Sequence, residues 1–132
     1  MYKRQTFDPA NLAKATPSQL RSSALQDVYE PGYQADIGAG HSGCLYDESR
    51  RKRFLARGTD EQIKRLEQAG DWNRYEIRAE GQRVEITLNG EKTVSYTETD
   101  PNVVADGLIA LQIHGNCKAE IAFRNLKIEE LR

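Results

Sequence analysis

The sequence predicts an all-β fold with one short helix, arranged as a sandwich or jelly roll of antiparallel strands. Several short segments between Tyr33 and Ile128 alternate apolar with polar residues, which is the period of a half-buried strand. Turn-forming residues separate these segments at short intervals, as they do in β-sandwiches. The chain has 132 residues, which is enough for one domain with a core of its own.

The first half of the chain contains one predicted strand and the predicted helix. Residues 33–37 alternate apolar with polar side chains, so a half-buried strand is expected there. A helix is predicted over residues 59–69, because Thr59 and Gln62 form a capping-box pattern and Gly70 supplies a stop signal.

The second half is predicted to consist of strands. Residues 75–79 and 84–88 alternate with period two, and Asn89-Gly90 then supplies the turn typical of a two-residue hairpin. Residues 108–113 are apolar at nearly every position, which predicts a strand covered on both faces. Apolar residues change from odd to even positions at Arg124-Asn125, which predicts a β-bulge in a last strand.

Composition excludes several classes of protein. The formal net charge is -1 and 30% of the residues are charged, so no overall field attracts nucleic acid or an anionic membrane. No apolar run approaches the ~20 residues of a membrane-spanning helix. Cys44 and Cys117 fit either a disulfide in an exported protein or two buried thiols. No pattern of cysteine and histidine spacing indicates a structural metal site.

The first five residues, "MYKRQ", match the translation of a sequencing adaptor derived from a transposon end. Residues 1–5 are therefore expected to be an adaptor-derived scar, and residues 6–132 a single, partial domain. The native chain is then expected to begin further upstream, so the missing signal peptide says nothing about localisation.

One stretch, "GYQADIGAGHSGCLYDESRR" at residues 32–51, places a charged cluster directly after a glycine-rich turn. The cluster contains Asp47, Glu48, Arg50 and Arg51. It is interpreted either as a solvated loop of weak ion pairs or as part of a polar pocket the size of a sugar. His41, within the turn, is interpreted as a loop residue.

The segments "GDWNRYEIRAEGQRVEITLNGEKTVSYTETD", "GLIALQIHG" and "AFRNLKIEEL" resemble the 3-keto-disaccharide hydrolase domain family. The resemblance covers roughly residues 21–131, and "GYQADIG", "GCLYDESRR", "LQIHG" and "FRNLKI" follow the family order. It implies a concanavalin-like jelly roll from a bacterial, exported protein, periplasmic or extracellular. Family members open with a strand pair that is missing here, which implies truncation and a native frame that continues upstream of Thr6.

The resemblance also implies a reaction, the cleavage of 3-keto-glycosides. A ketone at C3 acidifies the C2 proton, so a base removes it and the aglycone leaves from C1 by elimination. Water then adds, which gives net hydrolysis. The site needs a base with a pKa near neutrality and a cation or hydrogen-bond donor for the enolate.

Two polar doublets within the family motifs are the first candidates for the site. Gln34 and Asp36 share one face of their strand, as do Gln112 and His114. The doublets either satisfy one another at a solvated sheet face or line one concave site, and we favour the site. His114 is the expected base, with Asp36 or Glu48 as the alternatives, while Gln34 and Gln112 orient hydroxyl groups.

The remaining candidates are expected to bind substrate. Arg50 or Arg124 would stabilise the enolate, and Tyr46 and Asp47 would belong to the rim that meets substrate oxygens. Arg21 matches the arginine of a family "FRS" motif. For Arg124, an arginine at a sheet edge whose stem covers apolar surface is the alternative.

Two further expectations concern the glycine turn and the cofactor. The glycines at 38, 40 and 43 are expected to act as hinges that fold the charged loop over the sheet. No cofactor is required, although a divalent metal on Asp36, Glu48 and His114 would serve as the electrophile.

The alternative function is a carbohydrate-binding module without chemistry. Such a module needs a row of exposed aromatic residues, for which Trp72, Tyr75 and Tyr96 are the candidates. Trp72 follows the helix and is expected to anchor the core, which favours the enzyme. The expected partner is a sugar or glycoside, and the oligomeric state is left open.

Overall fold

Two antiparallel three-stranded sheets form the framework of the chain. The computed structural model describes residues 32–48, 50–103, 107, 109–112 and 120–131. The first sheet contains β1 (Gly32–Ala35), β2 (Leu45–Glu48) and β3 (Arg53–Ala56), in that order. The helix α1 (Asp60–Leu66) follows, and the second sheet contains β4 (Tyr75–Glu80), β5 (Arg83–Leu88) and β6 (Glu91–Thr97). The all-β fold with one short helix is therefore as predicted.

The core lies between the two sheets. Leu45 of β2 packs against Val84 and Ile86 of β5 and Val94 of β6, and all four side chains are buried. Their positions follow the period-two pattern of the sequence, since alternate residues of a strand point to the same face. Burial of these aliphatic side chains contributes roughly 1.5–3 kcal/mol each, so the facing layers hold the sheets together.

The hairpin between β5 and β6 is the predicted two-residue turn. Asn89 has φ 49° and Gly90 has φ 88°, and Leu88 pairs with Glu91 across the loop. Asn89 also anchors the turn, because its Oδ1 accepts a hydrogen bond from the Arg74 N–H at 2.8 Å. Positive φ at both turn residues is what a two-residue hairpin of this type requires, so the predicted turn is confirmed.

The helix begins as predicted and ends early. Thr59 is the N-cap, and its Oγ1 accepts a hydrogen bond from the Gln62 N–H at 3.1 Å. The predicted helix over residues 59–69 stops at Leu66, because Glu67 adopts an extended conformation with ψ 122°. The Asn89 Nδ2 donates to the Leu66 carbonyl at 2.8 Å and so satisfies one of the free carbonyls of this helix end. No helix within the described ranges is long and apolar enough to cross a membrane.

Two predicted strands are absent from the described part of the C-terminal region. Residues 109–112 lie outside any strand, and Ile109 and Leu111 are exposed, so the prediction of a strand covered on both faces is wrong there. Leu108 and Ile113 lie outside the described residues. Residues 120–131 also lie outside strands, so the predicted β-bulge is wrong, although Asn125 has φ 54°. An apolar run becomes a covered strand only where neighbours supply its hydrogen bonds.

Candidate functional site

The outer face of the first sheet carries several of the predicted site residues. Gln34 pairs directly with Tyr46, and Tyr46 pairs with Phe54. Because Tyr33 and Leu45 belong to the core layer, the residues at alternate positions point away from the core. We use the name outer face for the side that carries Gln34, Tyr46, Glu48 and Phe54.

Three rings form an aromatic cluster on this outer face. The His41 ring stacks on Phe54, with centroids 5.3 Å apart and planes at 26°. Tyr46 meets Phe54 edge-on at 5.1 Å, and the Arg57 guanidinium lies 5.7 Å from the Phe54 ring centroid. From the sequence, His41 is interpreted only as a loop residue and Phe54 is not singled out, although the short apolar run at residues 54–56 was an available signal.

The two glutamines of the polar doublets meet at this face. The Gln34 Nε2 donates a hydrogen bond to the Gln112 Oε1, across 78 positions of sequence. Asp36 lies just beyond β1 and is half-buried, and its backbone carbonyl accepts hydrogen bonds from the Gly43 N–H and the Tyr75 hydroxyl. His114 lies outside the described residues, so its catalytic role stays a prediction.

The charged cluster that follows the glycine turn in sequence is buried or half-buried at all four of its residues. Asp47 is fully buried, since it faces inward on β2 opposite Tyr33. Its Oδ1 accepts from the Arg50 Nε at 2.8 Å, and its Oδ2 accepts from the Arg51 Nε. Each carboxylate oxygen of Asp47 therefore bonds one of two neighbouring arginines. The predicted contact between Asp47 and the substrate stays a prediction.

Arg51 continues this network into the second sheet. Its Nη2 lies 2.5 Å from the Glu98 Oε2, just after β6, and its Nη1 lies 3.3 Å from the Tyr96 hydroxyl. The Tyr33 hydroxyl donates to the same Glu98 oxygen. We call these residues, with Asp47 and Arg50, the inner ionic network. The sequence did not point to Glu98, because nothing local to it indicates a partner so distant along the chain.

The network fixes the charge of its members. The hydrogen bond from Arg51 holds the pKa of Glu98 well below its usual range. The hydrogen bonds to Glu98 and Asp47 raise the pKa of Arg51 further above its usual value. Burial, followed by the hydrogen bond to Glu98, raises the pKa of the Tyr33 phenol. Glu98 and Arg51 therefore stay ionised and Tyr33 stays neutral near pH 7, so none of the three changes its protonation state there.

Arg50 is placed at the border between the network and the solvent. Its Nε bonds Asp47, its guanidinium lies 4.7 Å from the Tyr33 ring centroid, and a quarter of its side chain is exposed. A guanidinium over an aromatic face gains a further favourable interaction. Two anchors thus orient the cation that is predicted to stabilise the enolate.

The glycine turn does not act on the charged residues. Residues 38–43 join β1 to β2, whereas Arg50 and Arg51 lie in the turn between β2 and β3, at the opposite end of β2. The prediction that the glycines fold the charged loop over the sheet is therefore wrong. The turn instead brings His41 to Phe54. Gly43 also approaches the second sheet, because the Thr93 Oγ1 donates to its carbonyl at 2.6 Å.

Arg124 covers an exposed tryptophan. Its guanidinium lies 3.9 Å from the Trp72 ring centroid. Trp72 is 44% exposed, so the prediction that it anchors the core is wrong. The hydroxyls of Tyr75 and Tyr96 make internal hydrogen bonds, so these three aromatics do not form an exposed row. Arg21 lies outside the described residues.

The described residues contain no group of three histidine, cysteine, aspartate or glutamate side chains placed to hold a metal. The predicted set of Asp36, Glu48 and His114 includes a residue outside this part of the chain, so it stays a prediction. Cys44 is a buried free thiol, and burial raises its pKa. Cys117 lies outside the described residues.

The geometry defines an all-β domain of two packed sheets, with a face on which amides, aromatic rings and charged groups lie together. The model of the 3-keto-alpha-glucoside-1,2-lyase-like domain matches residues 18–129 of the chain. The chain belongs to this family. No curated protein and no solved structure gives a significant match.

Proposed function

We propose that the chain cleaves 3-keto-glycosides at the outer face of its first sheet. A base takes the C2 proton, the C2–H electron pair forms the C1=C2 bond, and the C1–O bond breaks as the aglycone oxygen leaves with a proton. Water then adds across the double bond, so the net reaction consumes one water. The family match supports this reaction class.

The hydrogen bond between Gln34 and Gln112 is the observation that supports assigning the reaction to particular residues. It joins the two sequence segments that supply the polar doublets, so one sugar reaches both. His114 follows Gln112 by two residues in the sequence. His114 acts as the base in this proposal, and Asp36, two residues after Gln34, assists or replaces it.

The groups around the amide pair suit the other needs of the reaction. The cluster of His41, Tyr46 and Phe54 offers apolar ring surface beside polar groups, which is the composition of a small-molecule site. Arg50 is anchored on the core side of the sheet by Asp47 and Tyr33, so none of its described contacts brings its charge to the amide pair, and its role at the enolate oxygen stays a prediction. The amides of Gln34 and Gln112 orient the sugar hydroxyl groups.

The test uses a 3-keto-glucoside with a chromogenic aglycone and the unoxidised glucoside as its control. We expect aglycone release from the keto compound alone, because only its C2 proton is acidic. We also expect a primary isotope effect with deuterium at C2. His114→Ala should reduce turnover about 10²–10⁴-fold without lowering the thermal midpoint.

Lys52→Ala, at an exposed position in the turn after β2, is the matched control and should keep full activity. Equal release from both glucosides would contradict the proposal, and so would full turnover by His114→Ala. Saturable binding of the keto compound without release of the aglycone would instead indicate a carbohydrate-binding module.

A further inference from the structure

The strand β4 lies at the open edge of the second sheet. Within the described ranges it pairs with β5 alone, over six residues without a register shift. Ile77 is 57% exposed, although its partner Ile86 is fully buried. The layer that covers β5 therefore does not cover β4. A regular edge strand with an exposed aliphatic side chain is a template for pairing with another strand.

Backbone groups at this edge alternate in direction. The Asn89 N–H donates to the Arg74 carbonyl at 2.9 Å, so Arg74 bonds toward β5. In an antiparallel ladder every second residue bonds to the same neighbour. The even-numbered residues of β4 therefore bond to β5, and the N–H and C=O groups of Tyr75, Ile77 and Ala79 point to the open edge.

The charges along this edge alternate as well. Arg74 pairs with Glu76 at 2.6 Å and Arg78 pairs with Glu80 at 2.7 Å, and all four side chains are more than half exposed. They occupy the face of the sheet opposite Ile77. Lysine runs and proline protect many natural edges from pairing. Along β4 positive and negative side chains alternate instead, so this edge attracts a strand whose charges have the opposite sign at each facing position.

We propose that β4 pairs antiparallel with β4 of a second copy of this chain, about a two-fold axis at Ile77. In this register Glu76 faces Arg78 of the other copy, and Arg74 faces Glu80. Each charged side chain meets one of opposite sign, which stabilises an antiparallel pair. The outward backbone groups meet in the same register, and the two Ile77 side chains cover each other.

Neighbouring registers do not match. An axis at Glu76 would place Glu76 opposite itself and Arg74 opposite Arg78, and an axis at Arg78 would likewise face like charges. In both of these registers the residue at the axis would also have N–H and C=O groups that already bond to β5. The same patch serves both copies, so the interface is closed and stops at a dimer.

Charge reversal tests the register. Light scattering during size-exclusion chromatography should show a dimer for the parent chain. Glu76→Arg and Arg78→Glu should each be monomeric, with dissociation constants raised about a hundredfold, because each places like charges opposite one another twice. An equimolar mixture of these two variants should form a heterodimer, since every facing pair is then of opposite charge.

Cysteine cross-linking gives a second measurement that does not depend on the charges. In Ile77→Cys the facing Cα atoms would lie about 5.5 Å apart, within the reach of a disulfide. Mild oxidation should then give covalent dimers that dithiothreitol reverses. Ala79→Cys is the matched control, because its two copies would lie about 14 Å apart along the strands.

A parent chain that is monomeric at all concentrations would overturn the proposal. That is the result expected if another part of the same chain covers β4. A mixture of the charge variants that stays monomeric would also overturn it. So would equal cross-linking of Ile77→Cys and Ala79→Cys. Circular dichroism identifies variants that fail to fold, and for those positions the cross-linking pair decides.

Discussion

Arg51 and Glu98 form a salt bridge of 2.5 Å that connects the β2–β3 turn with the end of β6, across 47 positions of sequence. Glu98 is nearly fully buried, and only about a quarter of the Arg51 side chain is exposed. The backbone N–H groups of Thr99 and Asp100 donate to the other carboxylate oxygen at 3.0 and 2.9 Å. The carboxylate is thus satisfied on both oxygens, as a buried charge must be.

Glu98→Gln should lower the free energy of unfolding by about 3 kcal/mol at pH 7, because it leaves the Arg51 charge without its second carboxylate. The pKa of Glu98 is depressed in the folded state, so its contribution is complete above the unfolded value of about 4.3. It is lost as the pH falls from there toward the folded pKa. Urea unfolding between pH 3 and pH 7 should therefore show the two proteins converging in acid.

Glu129→Gln is the matched control for this experiment. It removes the carboxylate of an exposed pair with Lys127, outside β4, and such pairs contribute little. Its unfolding midpoint should follow the parent at every pH. A constant gap between Glu98→Gln and the parent from pH 7 to pH 3 would contradict the assignment.

Gly43→Ala should be more damaging than Gly40→Ala, although both glycines have positive φ, 73° and 76°. A Cβ at Gly43 would lie 2.9 Å from the Thr93 Oγ1 and 3.1 Å from the Leu88 Cβ, whereas one at Gly40 meets nothing within 4 Å. The left-handed backbone costs about 1–2 kcal/mol in both. Overpacking adds about 1–3 kcal/mol at Gly43 alone. Equal losses in denaturant unfolding would show that the sheets move apart freely there.

Gly90→Val should destabilise the β5–β6 hairpin by about 2 kcal/mol. The turn holds Gly90 at φ 88°, where a β-branched residue is a genuine outlier. Gly38→Val is the control, because a Cβ at Gly38 meets nothing within 4 Å and its φ is not left-handed. Thermal melts of the two variants should separate clearly, and coinciding melts would speak against the turn.

Gln34→Leu and Gln112→Leu should behave as a coupled pair in the cleavage of a 3-keto-glycoside. Each removes one end of their hydrogen bond, so each single variant should lower kcat/KM. The double variant should lose less than the sum of the two, with a coupling of about 0.5–3 kcal/mol. Additive losses would place the two amides at separate points of the substrate.

Much of the fold followed from local pattern. Alternation predicted β1, β4 and β5, and Asn89-Gly90 predicted the turn, because these depend on backbone geometry that the residues themselves impose. The helix start followed from Thr59 for the same reason. The early helix end did not, because Glu67 already leaves the helical conformation while the glycine stop signal comes only at Gly70.

The site was less predictable because burial depends on distant partners. Asp47 lies in a run of charges that is typical of a solvated loop, yet it is fully buried. Only the folded chain places Tyr33 opposite Asp47 and links Asp47 through Arg51 to Glu98, and nothing near Asp47 in sequence indicates Glu98. Trp72 was misjudged for the converse reason, since nothing in its neighbourhood shows that it lies outside the core.

The long sequence separations within the inner ionic network have a kinetic consequence. Tyr33 and Glu98 are 65 positions apart, so their contact forms only after a long loop has closed, whereas the β5–β6 hairpin closes over two residues. The hairpin should therefore be formed at the folding transition state, and the network should form after it. Substitution of Gly90 should slow folding, and substitution of Glu98 should leave the folding rate unchanged and accelerate unfolding. The lifetime of the folded state then depends on Arg51 and Glu98 more than on the β5–β6 hairpin.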